Sequence, residues 1–346
     1  MSLTLGRDVL LFFENRDRDT FVRGDRNLRR RLRKTVELFR PNRQRVSGFE
    51  MSFKLLRLAL ARAGQRVHVN DFALARRNPE FPIGLCGHDH ILEHRTLRNP
   101  AVLGPGIMDH PLQFPDLFDD PRNASYIVLC EWMRDLYARW YDRDRLFLWF
   151  GGINVADWPQ GRTERDIDVL VYDKIRWNRE TLVPTFREPV LDELRRRGLN
   201  FQIVSYGKYT LGAYKKLLAR SRSMLFLCEH ETQGMAYQEA LASNVPVLAW
   251  DQGFWLDPNR SKWEPDPVPA TSVPYFSDAC GERFTGLDDF PATLERFLAK
   301  MPAYAPRRWV DSHLSPVTSG ELYLRAYYSA AAHATPRSLE RDRQQG

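Results

Sequence analysis

The sequence predicts an α/β protein built from two doubly wound halves, and three observations predict it. Its 346 residues are the length of about two domains. Short apolar runs alternate with capped, amphipathic stretches along most of the chain, which is the sequence form of parallel βαβ units. After a run of turn residues at 151–161 the alternation starts again. Hydrophobic residues at 43% and charged residues at 27% match folded globular proteins and exclude disordered, collagen-like and coiled-coil chains. No apolar run approaches the ~20 residues needed to span a bilayer.

The first half opens with 8–14 (DVLLFFE), short, apolar and turn-bounded like a buried parallel strand. Ser47-Gly48-Phe49-Glu50 is a capping box ahead of Met51, Leu55, Leu56 and Leu58, with Gly64 as the stop, so a helix is predicted over 48–63. The run 66–70 (RVHVN) follows as a strand, completing a βαβ unit. Segments 82–86 and 101–104 read as short strands, 125–130 as a strand feeding a helix over 131–141, and 145–150 as a last strand. Gly151-Gly152-Ile153-Asn154 and Trp158-Pro159-Gln160-Gly161 then mark a boundary, giving a first domain of 1–150. The second domain, 151–310, repeats the rhythm: strands at 168–172, 200–205, 224–228 and 245–250, helices at 181–197, 211–220 and 234–242. Segment 251–285, rich in Pro, Trp and Asp, reads as surface loop; helical spacing resumes at 287–298 and 319–334. A C-terminal helix within 311–335 and a flexible tail at 336–346 complete the chain.

Cys86, Cys130, Cys228 and Cys280 lie 44, 98 and 52 positions apart, with no spacing suited to zinc or a redox pair, so four buried thiols are expected. His88, His90 and His94 with Asp89 do not form a tetrahedral zinc set, and no metal is expected. The net charge of +7 is concentrated: 23–45 holds ten basic residues against Asp25 and Glu37, leaving the rest of the chain nearly neutral. Leu28, Leu32, Val36 and Phe39 lie on one side of that arm. A solvated helical face is its plain reading, and an anionic membrane surface or a polyanionic acceptor its functional ones. Nucleic acid is not expected, because aromatic residues do not alternate with the arginines. The N-terminus lacks the order of a secretory signal, so the expected location is cytoplasmic, with the arm a possible peripheral contact to the inner membrane face.

In doubly wound domains ligands bind outside the carboxyl ends of the strands. The strand 224–228 runs into Glu231-Thr232-Gln233-Gly234-Met235 and a helix that contains Glu239. Two carboxylates thus flank one helix start. Its free N–H groups and partial positive charge favour a phosphate, a glycine lets the backbone approach closely, and carboxylates accept hydrogen bonds from sugar hydroxyls. The plain alternative is a solvated loop glutamate and an exposed helical one. The segment 231–247 (ETQGMAYQEALASNVPV) resembles the E-x7-E block of retaining GT-B glycosyltransferases, the group 1 or family 4-like type. It departs from the family form at Asn244, where glycine is usual; asparagine tolerates a left-handed backbone.

That resemblance implies two Rossmann-like domains facing each other across a cleft, with the last helix crossing back to the first domain. It implies that Glu231 holds the donor sugar, that Glu239 takes the ribose hydroxyls, and that the amides near Gly234 and Met235 meet the diphosphate, with Thr232 and Gln233 also on the donor-binding turn. Lys174 and Arg179 are the implied cations on the leaving diphosphate, with Arg176 a competitor and the family's Gly-Arg pair replaced by Asp173-Lys174. Tyr206 and Gly207, within 205–209 (SYGKY), resemble the loop lining the nucleobase, and Gly152 belongs to 150–154 (FGGIN), which resembles an interdomain element. On the acceptor side the resemblance points to Ser47 and Gly48 and, after Asp109, to His110. The implied activity is transfer of a sugar from a nucleotide-diphosphate sugar to a hydroxyl acceptor, without a cofactor. A nucleotide-sugar epimerase or hydrolase, and a catalytically silent binding module of the same fold, are the alternatives. The base, the sugar and the acceptor depend on loop shapes, which no motif fixes.

Overall fold

The computed structural model describes residues 3–14, 48–94, 97–160 and 165–344. The basic arm at 23–45 and Ser47, expected to cap the first long helix, lie outside them. The described chain forms two compact units, one of 3–14, 48–152 and 316–344, the other of 153–315. In the first, β1 (Asp8–Glu14), α1 (Gly48–Arg62), β2 (Arg66–Val69), α2 (Phe72–Arg77), β3 (Ile83–His88), β4 (Ala101–Ile107), β5 (Asn123–Val128), α3 (Glu131–Tyr137) and β6 (Leu146–Leu148) follow in order. The six strands make one sheet, β2-β1-β3-β4-β5-β6, and every neighbouring pair is parallel. Val9, Leu10, Leu11 and Phe12 are fully buried, as an apolar run must be in a central strand covered on both faces. Asp8, at the start of β1, is buried beside Arg66 and His68 of β2; the Arg66 hydrogen bond holds its carboxyl well below the usual carboxylate range.

The second unit contains β7 (Ile167–Lys174), α4 (Arg179–Leu182), α5 (Glu188–Arg196), β8 (Phe201–Ser205), α6 (Leu211–Arg220), β9 (Ser221–Cys228), α7 (Met235–Ala242), β10 (Val247–Trp250), β11 (Gly281–Phe284), α8 (Phe290–Ala299) and α9 (Pro306–His313). Its five parallel strands run in the order β11-β10-β9-β7-β8. Three readings of the sequence are corrected here. The helix expected over 181–197 is α4 and α5 joined by a π turn at Val183–Arg187, where Pro184 has no N–H to give the regular ladder. The 251–285 loop ends in β11, which lies so close to β10 that a Cβ on Gly281 would sit 1.9 Å from the Val247 carbonyl oxygen. A four-residue strand reading GERF has no apolar alternation to reveal it. The helix α9 also went unread between two apolar stretches.

The last helix, α10 (Pro316–Gln344), takes in most of the segment expected to fray and belongs to the first unit. It is fixed there by polar contacts as well as by packing. The Tyr327 hydroxyl accepts from the Leu10 amide at 2.8 Å, and the Ser319 hydroxyl donates to the Phe150 carbonyl at 2.6 Å. Gly320 lets α10 press against α1, because a Cβ there would lie 2.6 Å from the Ala59 carbonyl. Among the described residues no helix is long and apolar enough to cross a membrane.

Candidate functional site

The site lies at the carboxyl edge of β8, β7 and β9, three adjacent parallel strands that end at nearly the same level. Lys174, the last residue of β7, stands in register with Cys228, the last of β9, and Asp173 stands opposite Ser205, the last of β8. Loops leaving these three strands therefore meet. Lys174 Nζ forms an ion pair with Glu231 Oε1, and the same ammonium lies 4.5 Å from the centre of the Tyr206 ring. Burial alone would push Lys174 down, but the Glu231 carboxylate outweighs it and holds the ammonium above its ordinary value. Glu231 is held by its own backbone too, its amide donating to the Thr271 carbonyl at 2.9 Å.

Three residues farther on, Gly234 is the N-cap of α7 with φ 71° and ψ 36°, and no side chain caps the helix. Only glycine fits. The left-handed backbone disfavours a side chain, and a Cβ would lie 1.9 Å from the Tyr237 ring, which is buried over it. The first-turn N–H groups of α7 are thus left for water or an anion. Thr232, Gln233 and Met235 are part-buried around this turn, and Gln238 Nε2 bonds the Gln233 carbonyl at 2.5 Å.

Glu239 lies one turn into α7, its carbonyl accepts from the Ser243 hydroxyl at 2.8 Å, and the cation that acts on its carboxylate is Lys215 of α6. Burial raises its carboxyl from 4.5 to about 8. Between those two values the folded chain keeps a proton that the unfolded chain gives up, so this group costs stability as pH rises toward 8, and the cost is complete above it. Glu239→Gln is expected to melt a few degrees above wild type at about pH 9, with the difference gone at about pH 4. Thermal scans at the two pH values check this; a constant difference would place the effect elsewhere.

Arg179 does not point a free guanidinium at this edge. It donates to both carboxylate oxygens of buried Asp173, each at 2.8 Å, and Arg187 donates to Asp173 Oδ2 at 2.7 Å. Burial works against ionisation of Asp173, yet the two guanidinium groups hold its carboxyl below the ordinary value. Asp173 thereby draws the arginine into a structural ion pair. Its competitor Arg176 is exposed and lies 4.1 Å from the centre of the Trp177 ring.

Gly207 supports the turn beyond Tyr206, with φ 73°, and the Tyr206 amide donates to the Asp173 carbonyl at 2.9 Å. In the first unit, Gly48 opens α1 and Gly152 is buried beyond β6. His110 is fully buried, caps the short 3-10 turn Pro111–Gln113 through Nδ1, which accepts from the Leu112 amide at 3.2 Å, and packs edge-on against Trp140. An imidazole engaged in this way holds a turn.

Sequence reasoning missed Glu229 and His230. Glu229 is buried, and its Oε1 accepts from the Arg176 amide at 2.7 Å and the Trp177 amide at 3.1 Å. The His230 ring stacks on Trp177, 5.1 Å between centroids and 5° between planes; burial, with Arg176 and Lys174 nearby, lowers it to about 3 and keeps it neutral. Two polar residues next to a glutamate already assigned gave no separate signal. Among the described residues no group of three or more His, Cys, Asp and Glu could hold a metal.

No family model matches the chain, and no curated protein does. Solved structures match in fold. The lipopolysaccharide outer core galactosyltransferase WaaB aligns over 93% of this chain and 99% of its own, with a TM-score of 0.53 at 10% identity. AviGT4, a glycosyltransferase involved in avilamycin A biosynthesis, aligns over 83% of this chain and 91% of its own, with a TM-score of 0.50 at 13% identity. The chain spans 54% of the length of TarM, at 12% identity and a TM-score of 0.49. Two parallel α/β sheets with flanking helices, aligned over nearly the whole of WaaB and AviGT4, are the GT-B fold.

Proposed function

We propose that the protein is a retaining glycosyltransferase that moves a sugar from a nucleotide-diphosphate sugar to a hydroxyl acceptor. The observation that carries this reading is the convergence of Glu231, Lys174 and the uncapped start of α7 at one sheet edge. Two glycosyltransferases, WaaB and AviGT4, match the chain in fold.

In this reading the leaving diphosphate lies against the amides around Gly234 and Met235 and the Lys174 ammonium, while Glu231 exchanges that cation for the hydroxyls of the donor sugar. Glu239 accepts from the ribose hydroxyls. The acceptor hydroxyl attacks the anomeric carbon on the face the diphosphate leaves, and its proton departs with the diphosphate. No protein carboxylate is assigned as nucleophile. The protein's part is charge stabilisation at the leaving group, with no metal or cofactor needed for it.

A binding module that holds the nucleotide without transfer is the second reading, favoured by the withdrawal of Arg179 into its pair with Asp173. Thermal stabilisation by UDP, GDP, ADP and TDP and by their sugars tests the first part. One nucleotide should raise the melting temperature, since a ligand at 100 times its dissociation constant adds about 2.7 kcal/mol, and Glu239→Ala should abolish that shift while melting cooperatively itself. No shift with any of the four would remove the donor site; a shift with no released nucleoside diphosphate in the presence of candidate acceptors would select the binding module. Release without acceptor would point to hydrolysis.

A further inference from the structure

Residues 229, 230 and 231 leave β9 and engage, one after another, the turn 174–177 that leaves β7. Glu231 pairs with the Lys174 ammonium, His230 stacks on the Trp177 ring, and Glu229 accepts from the Arg176 and Trp177 amides. We propose that Glu229 is a positioning residue that fixes this turn, and through it Lys174, for the anionic diphosphate. The inference rests on the donor reading above for the identity of that ligand.

Glu229 has the form of a clamp. One carboxylate oxygen receives both amides, while the other, Oε2, is buried with no hydrogen-bond partner among the described residues. A buried carboxylate that leaves one oxygen unsatisfied is costly, so packing alone gives it no reason to be there. Burial pushes its carboxyl up, against the pull of the two amides, and a neutral form with the proton on Oε2 would leave Oε1 to accept. Glutamine reproduces that arrangement, with its carbonyl oxygen in place of Oε1.

The clamped turn can loosen without unfolding the unit. Arg176 is exposed and Trp177 half-buried, so water can take up their amides if the carboxylate is removed. Loss of Glu229 should then appear as freedom of the turn and misplacement of Lys174, with the sheet intact.

The experiment compares wild type, Glu229→Ala and Glu229→Gln in the full chain. It reads amide hydrogen exchange at 176 and 177 and affinity for inorganic pyrophosphate and for UDP, GDP, ADP and TDP. Alanine should abolish protection at those two amides and weaken the bound probe about ten-fold, with a melting temperature near wild type, while glutamine restores both. Unchanged protection in Glu229→Ala, or equal loss in both variants, overturns the inference. If Glu229→Ala does not fold, Glu229→Gln decides alone, because its loss of protection or of affinity is an overturning result. Wild type that binds pyrophosphate but none of the nucleotides overturns the donor reading and leaves the clamp standing. Wild type that binds no probe overturns both.

Discussion

Asp173→Ala is expected to destabilise the second unit by about 3 kcal/mol, the largest stability loss of any single change proposed for this chain. Asp173 is buried at the end of a central strand and receives two hydrogen bonds from Arg179 and one from Arg187, with the Ile175 amide on the same carboxylate at 3.2 Å. Removing the carboxylate takes their shared buried counter-charge from two guanidinium groups, of which Arg187 keeps only the half-exposed Glu188. Breaking a buried pair from one side typically costs about 3–5 kcal/mol, and the value falls at the low end because Arg179 is exposed enough for water to screen it. Because the chain has two units, one melting temperature would mix them. Hydrogen exchange of second-unit peptides across a denaturant series isolates the effect, and exchange unchanged from wild type would show the ion pair to be ornamental. The same experiment bears on Arg179. As a partner of Asp173 it should appear in stability, whereas as a diphosphate ligand it would appear in nucleotide affinity with stability nearly unchanged.

Much of the fold is legible in the sequence because parallel strands buried on both faces are written as apolar runs. DVLLFFE and SMLFLC are read at once, and the helix 211–220 is bounded by its Thr210 cap and the following strand. What stays hidden is hidden for stated reasons. Gly281 to Phe284 makes a strand through its contact with β10, a tertiary cause that a four-residue polar segment does not encode. The candidate site is legible to the extent that it is local: Glu231, Gly234 and Glu239 come from one strand-turn-helix segment. The partners are not local. That Arg179 turns to Asp173, that His110 turns inward to cap its own helix, and that Glu229 grips two amides some fifty positions earlier in the chain are decided by which strand lies beside which. Asp173, close in sequence to the expected cation, is the one sequence signal that exposes the first of these, since a carboxylate there competes with any anionic ligand for it.

Lys174→Ala is expected to lower the rate of sugar transfer by about 100- to 1000-fold, the loss typical of removing one preorganised charge at a leaving group. The pairing with Glu231 makes the result more informative than a single rate. The ammonium and the carboxylate neutralise each other, and donor binding in the proposed mechanism separates them, giving the cation to the diphosphate and the carboxylate to the sugar hydroxyls. Removing Lys174 alone therefore takes away the leaving-group charge and also leaves Glu231, itself part-buried, without its cation. Removing Glu231 alone frees the ammonium for phosphate, so Glu231→Ala should bind a free nucleoside diphosphate at least as tightly as wild type while losing discrimination for the sugar. The double variant should bind the nucleotide no better than Lys174→Ala, because the gain from freeing the ammonium needs the ammonium to be present. Calorimetry of the three variants with the responsive nucleoside diphosphate, set beside the transfer rates, separates these expectations, since residues that act as a unit are strongly non-additive. Tighter nucleotide binding by Lys174→Ala than by wild type would overturn the assignment, for then the ammonium would be held by Glu231 for structure and the diphosphate would rest on the start of α7 alone.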